Sequence, residues 1–201
     1  MRIIVACEFS GIVRDAFEAA GADAWSCDLL PSDSLQTINS GKHIIGDVLD
    51  HLDDNAGDYD MLIGHPPCTF LSYASNRVWD DPGRCKKRLE ALDFFRKLWE
   101  QPIKRICLEN PAGCASPTIS KYSQHVEPFY FGDAYYKRTW LWLKNLPKLE
   151  KTNEVKPTRY LVNGSNSARR GYQLSLQGER SPVERSRFHP GMAAAMAAQW
   201  L

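Results

Sequence analysis

RIIVACEFSGIVRDAFEAAGADAWSCD, residues 2–28, is the stretch that decides the fold. It opens on a β-branched run, residues 2–7, that stops at a turn containing Ser10-Gly11. From residue 12 to 20 the apolar positions Ile12, Val13, Ala16, Phe17 and Ala20 recur at helical spacing and make one stripe. Gly21 stands where a glycine that closes a helix is expected. Residues 22–27, ADAWSC, read as a second strand, and Asp28 follows it. Strand, glycine turn, helix, strand and acidic residue, in that order, begin a doubly wound α/β sheet.

The alternation continues outward. Residues 43–45 are short and apolar, with Gly46-Asp47 after them. Residues 59–64, YDMLIG, read as a strand running into His65-Pro66-Pro67-Cys68. Residues 86–100 form an amphipathic helix with Leu89, Leu92, Phe95 and Leu98 on its apolar face, ended by Pro102. Residues 104–108, KRICL, are a strand before Glu109-Asn110-Pro111; residues 138–143, RTWLWL, are another; residues 190–201 are a final helix. An α/β fold with a mostly parallel sheet and helices on both faces follows. Such sheets bind ligands at the carboxyl ends of their strands. Phe9, Gly11, Asp28, Asp47, Cys68 and Glu109 each come just after an expected strand, so they are expected to share one rim.

A chain of 201 residues supports one substantial core. No run of about 18 apolar residues exists, so no membrane span is expected. The N-terminal apolar run is too short for a signal peptide, and the expectation is a cytoplasmic protein with its six cysteines reduced. His65 and Cys68 have a ligand-like spacing, but no second pair accompanies them, so no metal site is expected. Net charge is only +1, yet residues 1–65 carry 3 basic against 12 acidic residues, while residues 66–150 carry 14 against 9. The basic part suits a polyanion and the acidic part a different ligand; solvated faces are the plainer account of the same pattern.

Cys68 follows two prolines, which fix φ and remove two amide donors, and such a stiff turn suits a nucleophile. Glu109, after a hydrophobic strand, is either a solvated loop residue or a carboxylate placed to face a base and bond its ring nitrogen and amino group. A thiolate adding to C6 of cytosine makes C5 nucleophilic, provided N3 receives a hydrogen bond or a proton. The thiolate itself requires a nearby positive charge or amide dipole.

In order along the chain, these residues resemble the cytosine-5 DNA methyltransferase family, and more narrowly its short phage- or prophage-type members. Phe9-Ser10-Gly11 resembles the family's Phe-x-Gly motif, and Asp28 falls where an acidic residue holds the cofactor ribose. Gly46-Asp47-Val48 resembles the motif that contacts the adenine. Pro66-Pro67-Cys68 matches the catalytic Pro-Cys turn, and Glu109-Asn110 the Glu-Asn pair. Lys137-Arg138 resembles the arginine-bearing motif, of which Arg138 is the one clear arginine, and residues 187–200 resemble the closing motif. The resemblance implies a Rossmann-like fold dependent on S-adenosyl-L-methionine. It implies cofactor contacts at Phe9, Ser10, Gly11, Asp28, Asp47, Val48 and Pro66, and catalysis by Cys68, Glu109 and Arg138. It assigns residues 1–144 and 188–201 to the catalytic domain.

Two departures stand out. Ile12, Val13 and Arg14 follow Gly11 where the family has more glycine, and Arg14 is placed either near a cofactor carboxylate or on the surface. Only the short basic stretch 145–187 takes the place of a target-recognition domain, so sequence specificity is low or comes from a partner or an oligomer. The expected partner is DNA, single-stranded or duplex, with the target base flipped out. Residues 69–88 read as a loop over that base, with Tyr73, Asn76, Arg77, Trp79 and the basic run Arg84 to Arg88. Arg169, Arg170, Arg180, Arg185 and Arg187 are candidates to follow the phosphate backbone.

Rival readings remain. An amino methyltransferase has Asp/Asn-Pro-Pro-aromatic where this chain has His-Pro-Pro-Cys. A methyltransferase of RNA or of a free pyrimidine nucleotide shares the whole motif set. A non-catalytic nucleic-acid-binding module has no need of Cys68 and Glu109. A cysteine hydrolase needs a general base near Cys68, and only His65 is close in sequence.

Overall fold

The computed structural model describes residues 1–74, 80–160 and 186–201. The chain runs β1 (Arg2–Ala6), α1 (Ile12–Ala19), β2 (Asp23–Asp28), α2 (Leu35–Ser40), β3 (His43–Ile45), α3 (Val48–Asn55), β4 (Met61–Gly64), α4 (Pro82–Trp99) and β5 (Arg105–Pro111). It continues through α5 (Ala115–Thr118), β6 (Gln124–Val126), β7 (Tyr135–Tyr136), β8 (Thr139–Lys144), β9 (Arg159–Tyr160) and α6 (Pro190–Trp200).

Seven strands form one sheet in the order β3-β2-β1-β4-β5-β8-β6. Strands β1 to β5 pair in parallel, and β8 alone runs the other way, antiparallel to both β5 and β6. The expected mostly parallel α/β sheet is therefore present. Ile3, Ile4, Val5 and Ala6 of β1 are all fully buried, as a central parallel strand covered on both faces requires. Ile3, Val5, Met61 and Ile63 face Val13 and Phe17 of α1 and the Met192–Trp200 face of α6. Ile4, Ala6, Leu62, Ile106 and Leu108 face Leu52 of α3 and Phe95 and Leu98 of α4. Strand order reverses between β1 and β4, which makes the carboxyl ends of those two strands the switch point where such sheets bind ligands.

Local rules explain the turns. Gly11 caps α1 at φ 68°, and a Cβ there would lie 2.4 Å from Thr37 Oγ1, so both conformation and space demand glycine. Gly21, at φ 93°, follows the last turn of α1 as expected.

Three expectations need correction. Helix α4 begins at Pro82 rather than 86, because Asp81 caps it by accepting from Arg84 N (2.8 Å) and Pro82 takes the first helical position. The run Arg84 to Arg88 is therefore helical and not part of a loop. Glu109 lies inside β5 rather than after it, because pairing with β8 carries the strand on through Glu109↔Leu141, Asn110↔Trp140 and Pro111↔Thr139.

The sequence reading did not foresee α2, α3 or β6. The first part of the expected 145–187 insert is stitched to the core. Leu149 is buried and exchanges hydrogen bonds with the Gln124 side chain, and Trp200 Nε1 donates to Pro147 O (3.2 Å). Asn76, Arg77, Trp79, Arg169, Arg170, Arg180 and Arg185 lie outside the described residues. No helix among the described residues is long and apolar enough to cross a membrane.

Candidate active site at the switch point

Two groups of side chains meet at the carboxyl rim. The first lines a cavity of about 180 Å³ formed by Cys7, Cys27, Asp28, Leu29, Gly46, Asp47, Val48, Pro67 and Phe94. Asp28 ends β2, and its Oδ1 accepts from Leu30 N (2.9 Å). Asp47 caps α3 with Oδ1 on Leu49 N (2.8 Å). Val48, Leu29 and Phe94 give the space apolar walls between the two carboxyl side chains. Cys7 sits just past β1 at φ 59°, and burial, with Asp28 nearby, holds its thiol far above the ordinary range. Cys27 is pushed up to about 11 by burial and by Asp28 and Asp47, so neither cavity thiol ionises readily.

Of the residues expected to hold a cofactor, Asp28, Asp47 and Val48 line this cavity. Pro66 is buried and does not line it, whereas Pro67 does. Phe9, Ser10 and Gly11 lie on the adjoining turn. The Arg187 guanidinium, itself paired with Asp33, stands 5.6 Å from the Phe9 ring. Ser10 Oγ donates to Glu8 Oε1 (3.4 Å). Arg14 is neither at the cavity nor on the surface. It is fully buried, bound to Asp15 and Glu18 (both 2.6 Å), and donates to Thr37 and Ser40, tying α1 to α2.

The second group surrounds Cys68. The turn Pro66–Cys68 is pinned by Asn110 Nδ2, which donates to Pro66 O (2.7 Å), and by Leu71 N and Ser72 N on Cys68 O. Cys68 is exposed. Protein crowding around its sulfur, and then the Glu109 carboxylate, push the thiol above its ordinary value; Lys137 opposes them. Glu109 is buried, which by itself raises a carboxyl pKa. The hydrogen bond from His65 outweighs that burial together with the charges of Lys137, His65 and His189, and Glu109 is held below its usual range. Cys68 and Glu109 are therefore within electrostatic reach of each other, one a neutral thiol and the other a carboxylate.

Arg138 stands apart from this pair. Its side chain is exposed and its Nε lies 3.7 Å from Glu127 Oε1, while the neighbouring Lys137 supplies the cation that acts on Cys68 and Glu109. Buried Glu127 also accepts from Lys137 N (3.0 Å), which fixes the segment that carries that lysine. The sequence reading weighed His65 only as a metal ligand or a hydrolase base, missed Glu8 and Phe94 as members of the rim, and passed over Lys137 in favour of Arg138. For His65 and Glu8 the available signal was a lone ionisable residue directly after an apolar strand.

No protein-family model and no curated protein matches the chain. Solved structures do. The Entamoeba histolytica methyltransferase EhMeth aligns with a TM-score of 0.52 at 16% identity, over 77% of this chain and 57% of its own. The S. pombe Dnmt2 methyltransferase aligns with a TM-score of 0.51 at 17% identity, over 74% of this chain and 51% of its own. A DNA modification methyltransferase encoded within an E. coli prophage aligns more loosely, with a TM-score of 0.44 at 16% identity, over 71% of this chain and 46% of its own. The chain spans about half the length of the solved structures it matches. The first two of these likenesses show that the chain has a methyltransferase fold.

Proposed function

We propose that this chain is an S-adenosyl-L-methionine-dependent methyltransferase acting on C5 of cytosine in DNA, with Cys68 as a transient covalent nucleophile. One observation carries the reading: a thiol on a rigid Pro-Pro-Cys turn and a buried carboxylate from the next strand act on each other at the switch point of a methyltransferase-type sheet.

The 180 Å³ cavity suits the adenosyl end of the cofactor. It is smaller than an ordinary ligand pocket of ~300–1,000 Å³, so it takes one flat ring system with the remainder outside. Apolar Leu29, Val48 and Phe94 offer ring contact, and the carboxyls of Asp28 and Asp47 offer acceptors for hydroxyl and amino groups. When bound, the cofactor would supply an electrophilic methyl group carried on a sulfonium.

The chain's own residues prepare the base. The Cys68 S–H bond breaks and an S–C6 bond forms, while N3 gains a proton through the Glu109 carboxyl. The electrons of the C5–C6 double bond shift toward C4 and N3, which leaves C5 as the nucleophilic end of an enamine. The proton lost by sulfur and the proton gained at N3 balance, so no net charge is created in a site of low dielectric. Lys137 favours the thiolate during this step and holds Glu109 ready to accept and return the proton. After C5 is substituted, its hydrogen leaves as a proton to water, the C5–C6 double bond re-forms as the S–C6 bond breaks, and the N3 proton returns through Glu109 to the Cys68 sulfur.

A stacked base does not reach this site, so the target has to leave the duplex, which costs a few kcal/mol, roughly. Arg84 and Lys87, over the Phe70 ring at 5.0 and 5.5 Å, offer a cationic and aromatic border for the strand that carries it.

The test is covalent capture. An oligonucleotide containing 5-fluorocytosine is expected to form a denaturant-resistant adduct with the protein when S-adenosyl-L-methionine is present. An adduct that persists in Cys68→Ser, or methyl label appearing on an exocyclic nitrogen, refutes the reading.

A further inference from the structure

His65 is the one histidine directly against the reacting carboxylate, and the chemistry above leaves it without a task. Its Nδ1 is 3.4 Å from Glu109 Oε2, and the ring is mostly buried. With Glu109 held as a carboxylate, Nδ1 carries the hydrogen and donates. The opposite face of the problem is Nε2, which is buried and has no hydrogen-bond partner among the described residues. A ring left with one unsatisfied buried nitrogen costs stability, which the bond made by the other nitrogen offsets in part.

The ring has little freedom. His65 N donates to Ala6 O (3.0 Å), and the Phe188 ring packs against the imidazole at 4.7 Å between centroids. The ionisable groups around the pair come from every element packed on it. Glu8, from the turn after β1, is buried and raised by that burial, with His65 pulling it back. Glu8 is itself occupied with Val13 N (2.7 Å) and Arg14 N (3.1 Å) at the start of α1. Glu109 further faces His189, before α6, and Lys137, before β8, while Cys68 feels its charge.

We propose that His65 is a positioning residue for the base-binding carboxylate: its Nδ1–H fixes Oε2 of Glu109, which leaves Oε1 to meet the N3 edge of the pyrimidine and strengthens Glu109 as an acid. This rests on the function proposed above. The proton given up by the Cys68 thiol reaches N3 by way of Oε1, the carboxylate charge before and after that transfer is met by the Nδ1–H bond, and the same proton returns to sulfur when Cys68 departs. The arrangement resembles the way a carboxylate orients a metal-bound histidine, with the roles reversed.

The experiment reads the carboxyl directly. Glu109 is followed by carboxyl-carbon NMR on glutamate-labelled protein, with E109Q identifying its signal, in wild type, H65L and H65N. Asparagine places an amide donor close to the position of Nδ1. The Glu109 titration midpoint is expected to rise by about one pH unit in H65L and to return most of the way in H65N. In parallel, cytosine C5 hydrogen exchange is expected to fall by about 10- to 100-fold in H65L, with its acid limb moved up, and to recover in H65N. S-adenosyl-L-methionine affinity and circular dichroism are expected to stay unchanged. A Glu109 midpoint that does not move in folded H65L overturns the proposal, as does loss of exchange that H65N fails to restore. If wild type catalyses no exchange while the midpoint still responds, the pairing stands, and the proposed function and this residue's catalytic use fall together.

Discussion

Residues 1–64 and residues 105–160 build the two flanks of the rim by different means. The first flank is parallel sheet with short helical crossovers, and its polar groups are settled locally. Glu8, Ser34 and Asp47 each accept backbone N–H groups at a helix start, and Arg14 is enclosed by partners from α1 and α2. The second flank depends on the reversed strand β8 and is held by long-range aromatic packing. Trp142 is fully buried against Phe95 at 4.9 Å, and Trp140 stacks on Tyr122 at 4.2 Å. The first flank is acidic and offers a slot of about 180 Å³; the second brings Glu109 and Lys137 to the thiol. The chemistry belongs to neither flank alone, because the Cys68 turn leaves the first and is anchored by Asn110 of the second.

That division gives tests of decreasing size. Cys68→Ser removes the joint between the flanks. Adduct formation is expected to fall by ~1,000-fold or more with cofactor affinity kept, as gel analysis and calorimetry will read. Trp142→Ala strikes the framework of the second flank. A loss of about 3–5 kcal/mol in urea unfolding is expected, and a loss under 1 kcal/mol shows that β8 is not held by this packing. Asp47→Asn keeps a residue that can cap α3 but removes the charge. Cofactor affinity is expected to drop by about 10-fold while oligonucleotide affinity stays level; a matching drop in both undoes the assignment of flanks.

The smallest effect concerns the thiol itself. Alkylation of Cys68 by iodoacetamide is expected to accelerate through pH 9 and beyond, since its pKa is raised above an ordinary 9.0. The signs are fixed by the neighbours. Losing the anion in Glu109→Gln lowers the alkylation midpoint, and losing the cation in Lys137→Gln raises it. Opposite movements contradict the placement of these charges.

The first flank was the legible one. The segment 2–28 carries its own periodicities, its helix-ending glycine and its strand-end acid, so β1, α1 and β2 follow from local rules. Helix α3 escaped because Val48, Leu49 and Leu52 are too few to show a period, and because Asp47, read only for its place in a motif, also serves as the cap. Strand β6, three residues long, has no pattern to read; its pairing with β8 alone makes it a strand. The same dependence on β8 drew Glu109 into β5. At the site, Cys68, Glu109, Asp28 and Asp47 were visible as strand-end residues of distinctive type. Glu8 and Lys137 were not, and His65 was weighed only as a metal ligand or a hydrolase base, because their roles come from other parts of the chain: Glu109 for His65, the amides of Val13 and Arg14 for Glu8, and Cys68 and Glu109 for Lys137.

The amide of Asn110 on the carbonyl of Pro66 has a consequence for timing. Two successive prolines fix φ but bring no amide donors of their own, and here a further tie comes from a buried side chain of the adjacent strand. Under the function proposed above, the Cys68 turn is thus tied to the frame at its Pro66 end, and the target base has to come to it. On that reading, bases already unpaired, at gaps, bulges or replication forks, are expected to react first.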